Sequence, residues 1–233
     1  MDHTTRAFDV DLQEIARKVV EMGRLAKQQI EGATCALLQR DIEFAERVAA
    51  ADSRLDMLHR EIEAFAVTTI ARRQPVAVDL RELVGAMRMA IDLERVGDFA
   101  KNIAKRVAAL TRDFRIDGVM PQLNVMSQQV VGQLISVLQS YETRDSSKAL
   151  EVWRKDRDID ALNNSLFRSL LTHMMEDPRN ISSCTHLLFC SKNIERIGDH
   201  ITNIAEAVYF IVEGHELEEE RPKADTTTEL ASV

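Results

Sequence analysis

Apolar residues recur along most of this chain at alternating spacings of three and four positions. That periodicity is typical of helices that pack side by side along an apolar seam. Six segments carry it, and they predict helices at residues 9–38, 41–73, 79–112, 120–141, 145–175 and 180–213. Only 5% of the residues are aromatic, whereas β-structure usually recruits aromatic and β-branched residues between turn signals. The pattern therefore predicts an all-α protein.

The third and sixth predicted helices carry nearly the same sequence. LERVGDFAKNIAKRV begins at Leu93, and IERIGDHITNIAEAV begins at Ile194. Aspartates at 52 and 56 recur at 156 and 160, so the second copy has a slightly shorter hairpin loop. A period of about a hundred residues indicates a duplicated small bundle and not a solenoid. We therefore predict a tandem repeat of two up-down-up three-helix bundles.

The stretch RIDGVMP at 115–121 is the predicted boundary between the two bundles. It places the first bundle at residues 1–115 and the second at 116–213. Residues 214–233 are charged and lack periodicity, which predicts a disordered tail.

Charge and cysteine content restrict the partners and the compartment. A net charge of −8 and a pI of about 5.3 oppose binding to nucleic acid, which needs clustered Lys and Arg. Cys35, Cys184 and Cys190 form no CxxC pair, so we expect reduced thiols and no disulfide. The first residues do not resemble a signal peptide, and no apolar run approaches the roughly 20 residues of a membrane span. We therefore expect a soluble cytoplasmic protein.

Four pairs of acidic residues are spaced four positions apart, which places both carboxylates of a pair on one helix face. Like charges at this spacing destabilise a helix by roughly 0.2–0.5 kcal/mol, so four corresponding pairs need a reason. In a hairpin of two antiparallel helices, residues at equal distances from the turn lie side by side. The two acidic pairs of each hairpin should therefore meet at one level. The prediction is a first cluster and a second cluster of carboxylates: Asp52, Asp56, Glu94 and Asp98; and Asp156, Asp160, Glu195 and Asp199.

The heptad frame of the seams directs these eight acids outside the core or onto its flank. Oxygen-only clusters suit hard or borderline cations such as Mg²⁺, Mn²⁺, Fe or Zn²⁺, so we predict that both clusters bind metal. His59 and His200 lie close enough in sequence to add a ligand or to remain polar surface. The alternative to metal is a solvated acidic face balanced by neighbouring arginines.

Two further features accompany the acids. Gly97 and Gly198 lie inside predicted helices, where glycine costs roughly 1 kcal/mol relative to alanine. We expect them to permit close helix approach, although clearance for an ion would also explain them. Asp79 and Glu82 follow Pro75 with the spacing of a capping box at the start of the third helix.

LERVGDFAKNIAKR, IERIGDHITNIAE and RRQPVAVDLR at 72–81 resemble the signatures of the PhoU family of phosphate-uptake regulators. The resemblance covers nearly the whole chain up to the tail. It implies a cytoplasmic, non-enzymatic regulator that represses the phosphate-starvation response when phosphate is plentiful. Such a protein links the phosphate ABC transporter, through its ATPase PstB, to the sensor kinase PhoR. The resemblance also implies iron or zinc on the eight acids, a homodimer, and membrane contact only through partners.

Two other functions remain open. A carboxylate-bridged metal enzyme of ferritin-like type would use Glu-x-x-His motifs, and the sequence contains none. An inert helical scaffold would carry the same acidic faces without binding metal. The chain also has no P-loop or GxSxG motif, so we expect that it is not an enzyme.

Overall fold

A computed structural model describes residues 2–110 and 118–219, with side chains described from Phe8 onward. These residues form eight α-helices and two short 3-10 turns, and they contain no β-strand. The helices are α1 (Asp2–Gln39), α2 (Ile42–Ala51), α3 (Ser53–Arg73), α4 (Ala77–Arg106), α5 (Val119–Thr143), α6 (Ser146–Arg154), α7 (Asp156–Glu176) and α8 (Ile181–Glu213). The 3-10 turns are Val107–Ala109 and Pro178–Asn180. The all-α prediction is confirmed.

Two of the six predicted helices are each divided by a bend. α2 and α3 meet at Asp52, and α6 and α7 meet at Lys155. Both residues keep right-handed helical dihedrals, so the chain bends there without leaving the helical region. The six helical segments pack as two up-down-up bundles, as predicted, with α1, α2–α3 and α4 in one and α5, α6–α7 and α8 in the other. The predicted boundary at residue 115 lies outside the described residues.

The same two-residue turn opens the second segment of each bundle. Arg40 and Arg144 both have a φ of 56°, a left-handed conformation that ends the preceding helix. The aspartate that follows each arginine caps the next helix: Asp41 Oδ1 accepts a hydrogen bond from Phe44 N at 2.8 Å, and Asp145 Oδ1 accepts one from the corresponding backbone N–H at 3.0 Å. The repeated Arg-Asp turn is therefore a second trace of the duplication.

The two bundles meet mainly through α4 and α8, which run antiparallel. Near the start of α4, Gly85 meets Ile211 at the end of α8, and near the end of α4, Arg106 lies over the ring of Phe189. The first hairpin turn precedes α4 and the second precedes α8. The two turns therefore lie at opposite ends of the α4–α8 pair, a distance of about 45 Å for a helix of this length.

Corresponding residues of the two repeats face each other at the centre of this seam. Phe99 and His200 occupy the same position of the repeated motif, and their ring centroids are 5.5 Å apart. His200 Nδ1 lies 2.7 Å from Asp92 Oδ1, and Asn203 Nδ2 donates to the same oxygen at 3.0 Å. The acidic motifs of both repeats therefore lie at one height along the seam.

A buried glutamate ties the bundles together away from the seam. Tyr141 donates a hydrogen bond from its hydroxyl to Glu82 Oε1 at 2.8 Å, and Arg144 pairs with the other carboxylate oxygen. The capping box predicted for Glu82 is wrong, because α4 begins at Ala77 and its N-cap residue accepts no side-chain hydrogen bond. Glu82 instead joins α4 to the end of α5.

Beyond α8, the first residues of the predicted tail lie against the bundles. Gly214, with a φ of 87°, ends α8, and Leu217 packs against the core. Glu216 lies 3.4 Å from Arg88 of α4. Residues 220–233 lie outside the described residues. No helix in the described part of the chain combines the length and apolar character needed to cross a membrane.

The Glu82 link makes a stability prediction. Replacing Tyr141 with Phe removes a buried hydrogen bond to a carboxylate, so the free energy of unfolding should fall by about 1.5–3 kcal/mol. Urea unfolding followed by circular dichroism measures the change. Thr143→Ala removes an exposed hydroxyl on the same helix and should change stability by less than about 0.5 kcal/mol. Equal effects of the two substitutions would contradict the link.

Candidate functional site

The first cluster contains its own cation, the ammonium of Lys101. Its Nζ lies 2.6 Å from Asp52 Oδ2 and 3.6 Å from Asp98 Oδ1, and the charge of Asp56 also acts on it. The hydrogen bond to Asp52 raises the pKa of Lys101, so the side chain stays charged. The structure thus brings three of the acids predicted for this cluster around one lysine.

Glu94 is the fourth acid of the first cluster. Partial burial, and then the charge of Asp98, raise the pKa of its carboxyl. Arg95 opposes this shift and lies 3.5 Å from Glu94 and 3.3 Å from Asp98. His59 and Asp56 also act electrostatically on Glu94, so both helices of the hairpin contribute charge at this level.

In the second cluster, Thr202 occupies the position that corresponds to Lys101. Its hydroxyl lies 3.1 Å from Asp156 Oδ1 and 3.1 Å from the carbonyl oxygen of Gly198, and it can donate to one of them at a time. A neutral hydrogen-bond donor therefore stands at this position, and the ammonium of the second cluster comes from Lys192 instead. Arg196, which corresponds to Arg95, lies instead over the ring of Phe99, 5.6 Å from the centroid.

Glu195 is a buried acid of the second cluster. Burial raises the pKa of its carboxyl, and the charges of Asp199 and Asp160 raise it further, whereas Lys192 opposes the shift. Lys192 Nζ lies 2.7 Å from Glu195 Oε1. The other oxygen, Oε2, is buried and has no hydrogen-bond partner. A buried carboxylate oxygen without a donor is a costly arrangement that a bound cation would relieve.

The two mid-helix glycines bring the opposing helix against the motif. A Cβ on Gly97 would lie 2.4 Å from Leu55 Cδ1 and 3.0 Å from Asp52 Oδ1. A Cβ on Gly198 would lie 3.0 Å from Cδ1 of Ile159, which corresponds to Leu55. The prediction of close helix approach is confirmed, and the same approach brings the aspartates of α3 and α7 to the motif helices.

The prediction that all eight acids lie outside the core or on its flank is wrong for four of them. The exposed fraction is 2% for Asp52 and Asp156, 4% for Asp160 and 5% for Glu195. The reason is that α4 packs against α1, α3 and α8, while α8 packs against α4, α5, α6 and α7. A side chain that leaves one seam therefore enters another. The remaining four acids are half-buried: Asp56, Glu94, Asp98 and Asp199.

Carboxylate oxygens are suitable ligands for hard cations, but the described side chains of neither cluster are arranged to hold one. Within residues 2–110 and 118–219, no three His, Cys, Asp or Glu side chains converge in a geometry that could hold a metal ion. In the first cluster, Lys101 already supplies positive charge. In the second, Lys192 supplies positive charge to Glu195 Oε1, and Glu195 Oε2 is a buried acceptor without a hydrogen-bond partner. His200, a possible extra ligand, is hydrogen-bonded to Asp92 across the seam.

Comparison with known proteins identifies the family. Residues 19–107 and 123–208 match the PhoU domain model. The chain belongs to the PhoU family. Both matched segments contain one acidic motif and the bent helix that opposes it, so the PhoU domain corresponds to the structural repeat.

Relatives match the PhoU-family chain over nearly its full length. The phosphate-specific transport system accessory protein PhoU homolog of Rhizobium meliloti is 48% identical over 231 residues, covering 99% of this chain and 98% of that protein. The homolog of Caulobacter vibrioides is 44% identical over 228 residues, covering 98% and 99%. The crystal structure of PhoU from Pseudomonas aeruginosa superposes with a TM-score of 0.85 at 33% identity, covering 89% of this chain and all of that one.

The glycine contacts predict that an alanine substitution lowers stability by different amounts in the two repeats. Gly97→Ala should lower the free energy of unfolding by about 1–3 kcal/mol, because buried Leu55 must move and Asp52 must give way. Gly198→Ala meets looser contacts, and the gain in helix propensity of roughly 1 kcal/mol should offset them. Chemical denaturation of both variants measures the difference. A larger loss of stability for Gly198→Ala than for Gly97→Ala would refute the packing argument.

The raised pKa of Glu195 predicts how stability depends on pH in chelator-treated protein. Between the ordinary value of 4.5 and the raised value, the folded state binds more protons than the unfolded state, so stability falls as pH rises. Glu195→Gln removes the free-energy cost of ionising this buried carboxyl group. The variant should be more stable than the parent at pH 7, and the difference should shrink as pH approaches 4.5.

Urea titrations at a series of pH values measure this difference. Glu63→Gln, at an exposed position, is the matched control and should change stability by less than about 0.5 kcal/mol at every pH. An advantage of Glu195→Gln that stayed constant with pH would show that titration of the carboxylate is not its cause.

Proposed function

We propose that this protein is a regulatory accessory protein of a phosphate transport system and that it acts by binding partners and not by catalysis. The observation that carries the proposal is its 48% identity, over 99% of the chain, to a relative named as such an accessory protein. The PhoU fold, shared at a TM-score of 0.85 with crystal structures of PhoU from two other bacteria, supports it.

In this proposal the protein works in the cytoplasm as an adaptor. It binds the transporter ATPase PstB and the sensor kinase PhoR, and it represses the phosphate-starvation response when phosphate is plentiful. It reaches the membrane only through these partners and acts as a homodimer. The family resemblance supports each of these assignments.

The shape of the described residues suits an adaptor. Among their large apolar side chains, the most exposed are Met175, at 85%, and Val76, at 75%. Val76 lies at the first hairpin turn and Met175 beside the second, so they occupy opposite ends of the α4–α8 pair. Exposed apolar side chains at separate ends allow two partners to bind without competing for one surface.

The acidic clusters add a metal-dependent element to the proposal. Iron or zinc is favoured by the family resemblance, and Mg²⁺ or Mn²⁺ by the oxygen donors. The residues that would hold metal are the eight acids of the two clusters. A bound ion would neutralise buried carboxylates there and stabilise the bent helix against the motif helix.

A complementation experiment tests the adaptor. A strain that lacks the protein receives the parent, Val76→Asp or Met175→Asp, and a phosphate-starvation reporter is measured together with capture of PstB and PhoR. In high phosphate the parent should repress the reporter and retain both partners. We call these two the tip variants, because Val76 and Met175 lie at the two ends, or tips, of the α4–α8 pair. Each tip variant should lose one partner and restore less repression, because a carboxylate at an apolar contact must be desolvated.

Ile135→Asp is the matched control for the tip variants. Ile135 is 37% exposed on α5, away from both turns, so this variant should behave as the parent. If the parent itself fails to repress the reporter and retains neither partner, the protein is an inert scaffold. If both tip variants behave as the parent while it remains active, the tips are not the binding surfaces.

A further inference from the structure

A short segment that follows α8 folds back over a groove between α4 and α8. Residues of both helices line this α4–α8 groove: Arg88, Ile91, Asp92, Asn203 and Phe210. The segment, residues 214–219, leaves α8 at Gly214, and we call it the covering segment. The side chain of Leu217 packs against the core. The chain therefore covers part of its own α4–α8 surface.

Three arginines follow the path of the covering segment and lie beside its start, middle and end in turn: Arg81, Arg88 and Arg154. Glu216 lies 3.4 Å from the second of them, and Glu219 lies 4.0 Å from the third. Arg88 also lies over the ring of Phe210, 5.0 Å from the centroid. Positive charge beside apolar surface suits an acidic segment that carries an apolar side chain.

The acidic residues of the groove are held by other parts of the chain. Asp92 Oδ1 accepts a hydrogen bond from Asn203 and lies 2.7 Å from His200 Nδ1. Glu206 Oε1 accepts a hydrogen bond from Trp153 Nε1 at 2.9 Å. The arginines therefore supply the charge that would recognise a bound segment.

The covering segment fits the groove incompletely. A cavity of about 330 Å³ remains between the segment and the two helices, lined in part by Ile91, Phe210 and Leu217. The Nε of Arg81 is buried and has no hydrogen-bond partner. The side chain of Glu216 is 74% exposed, and solvent-exposed ion pairs contribute little to stability. A competing segment could therefore displace the covering segment at a small cost in free energy.

We infer that the α4–α8 groove binds an acidic peptide segment of a partner protein, with one large apolar residue among its carboxylates. The covering segment occupies the groove until such a partner displaces it. The partner's apolar residue takes the place of Leu217 and extends into the cavity, so phenylalanine there should bind more tightly than leucine. The inference goes beyond the adaptor proposal, because the groove is a surface other than the two tips.

A peptide titration of the full-length protein tests the inference. The probe is the fluorescein-labelled peptide GHEFEE, which is the covering segment with phenylalanine in place of Leu217, and fluorescence anisotropy measures its dissociation constant. The parent should bind the probe weakly, because its own tethered segment competes at an effective concentration of roughly millimolar. Leu217→Asp removes the apolar anchor of this competitor and should bind the probe at least about tenfold more tightly.

A second variant releases the covering segment without changing the core. Glu216→Lys reverses the exposed ion pair with Arg88, so it should tighten probe binding by about two- to fivefold. Circular dichroism checks that both variants keep the helicity of the parent. Trp153, the single tryptophan of the chain, is bonded to Glu206 on the cavity wall, so its fluorescence should change as the probe binds.

Two arginine substitutions locate the bound probe, and each is combined with Leu217→Asp. Arg88→Ala should weaken binding by about tenfold or more, because it removes the cation beside Phe210 that pairs with the acidic segment. Arg106→Ala is the matched control: Arg106 also lies on α4 and over a phenylalanine ring, that of Phe189, but at the other end of the seam. It should change the dissociation constant by less than about twofold.

A peptide of opposite charge, GHKFKK, should bind at least about tenfold more weakly than GHEFEE. The inference is overturned if neither releasing variant binds GHEFEE more tightly than the parent, if Arg88→Ala loses no more affinity than Arg106→Ala, or if GHKFKK binds equally well. A dimer of the parent that dissociates on Leu217→Asp would show that the segment covers the groove of a second copy, which also overturns it. The reporter and capture experiment tests the adaptor proposal separately, so either can fail alone.

Discussion

The antiparallel packing of α4 against α8 is the contact on which the rest of the structure depends. Each helix is the third of its bundle and is buried by its own bundle on one side and by the other bundle on another. Full burial of one aliphatic side chain contributes about 1.5–3 kcal/mol, and both helices bury such residues on several faces. Neither bundle alone could shield these apolar faces from solvent. The same packing sets the two acidic motifs at one height, with Phe99 against His200 between them.

Burying carboxylates beside this seam requires compensation, which Lys101 gives to Asp52 and Thr202 gives to Asp156. α3 begins immediately after Asp52, and α7 begins at Asp156, so the bends place these two acids at helix starts. Gly97 and Gly198 then allow these helix starts to approach the motif helices. The bend, the glycine and the acid pair therefore act as one structural unit, present twice.

Much of this fold could be predicted from the sequence because its signals are local. Periodicity located the helices, the repeated motif revealed the duplication, and two costly glycines indicated close approach. Burial of the acids could not be predicted, because a heptad frame describes one seam while α8 takes part in several. The role of Glu82 could not be predicted for a related reason, because a capping box and a buried link between bundles look alike in sequence. The contrast of Lys101 with Thr202 was visible in the aligned motifs, but only the contact with Asp52 gave it meaning.

Duplication first produces two equal sites, and the differences that follow indicate how their roles have separated. At the seam, corresponding residues face each other, so identical residues there would bring like against like. The pairing of Phe99 with His200 avoids such a like-with-like contact. Asp92 binds His200, whereas the residue that corresponds to Asp92 in the second repeat is the uncharged Asn193. At the clusters, the ammonium of Lys101 contacts Asp52 in the first, whereas Lys192 contacts Glu195 Oε1 in the second and leaves Glu195 Oε2 without a hydrogen-bond partner. Each repeat therefore keeps one ammonium beside its acids but holds it at a different position of the motif helix, since Lys101 follows Asp98 whereas Lys192 precedes Glu195.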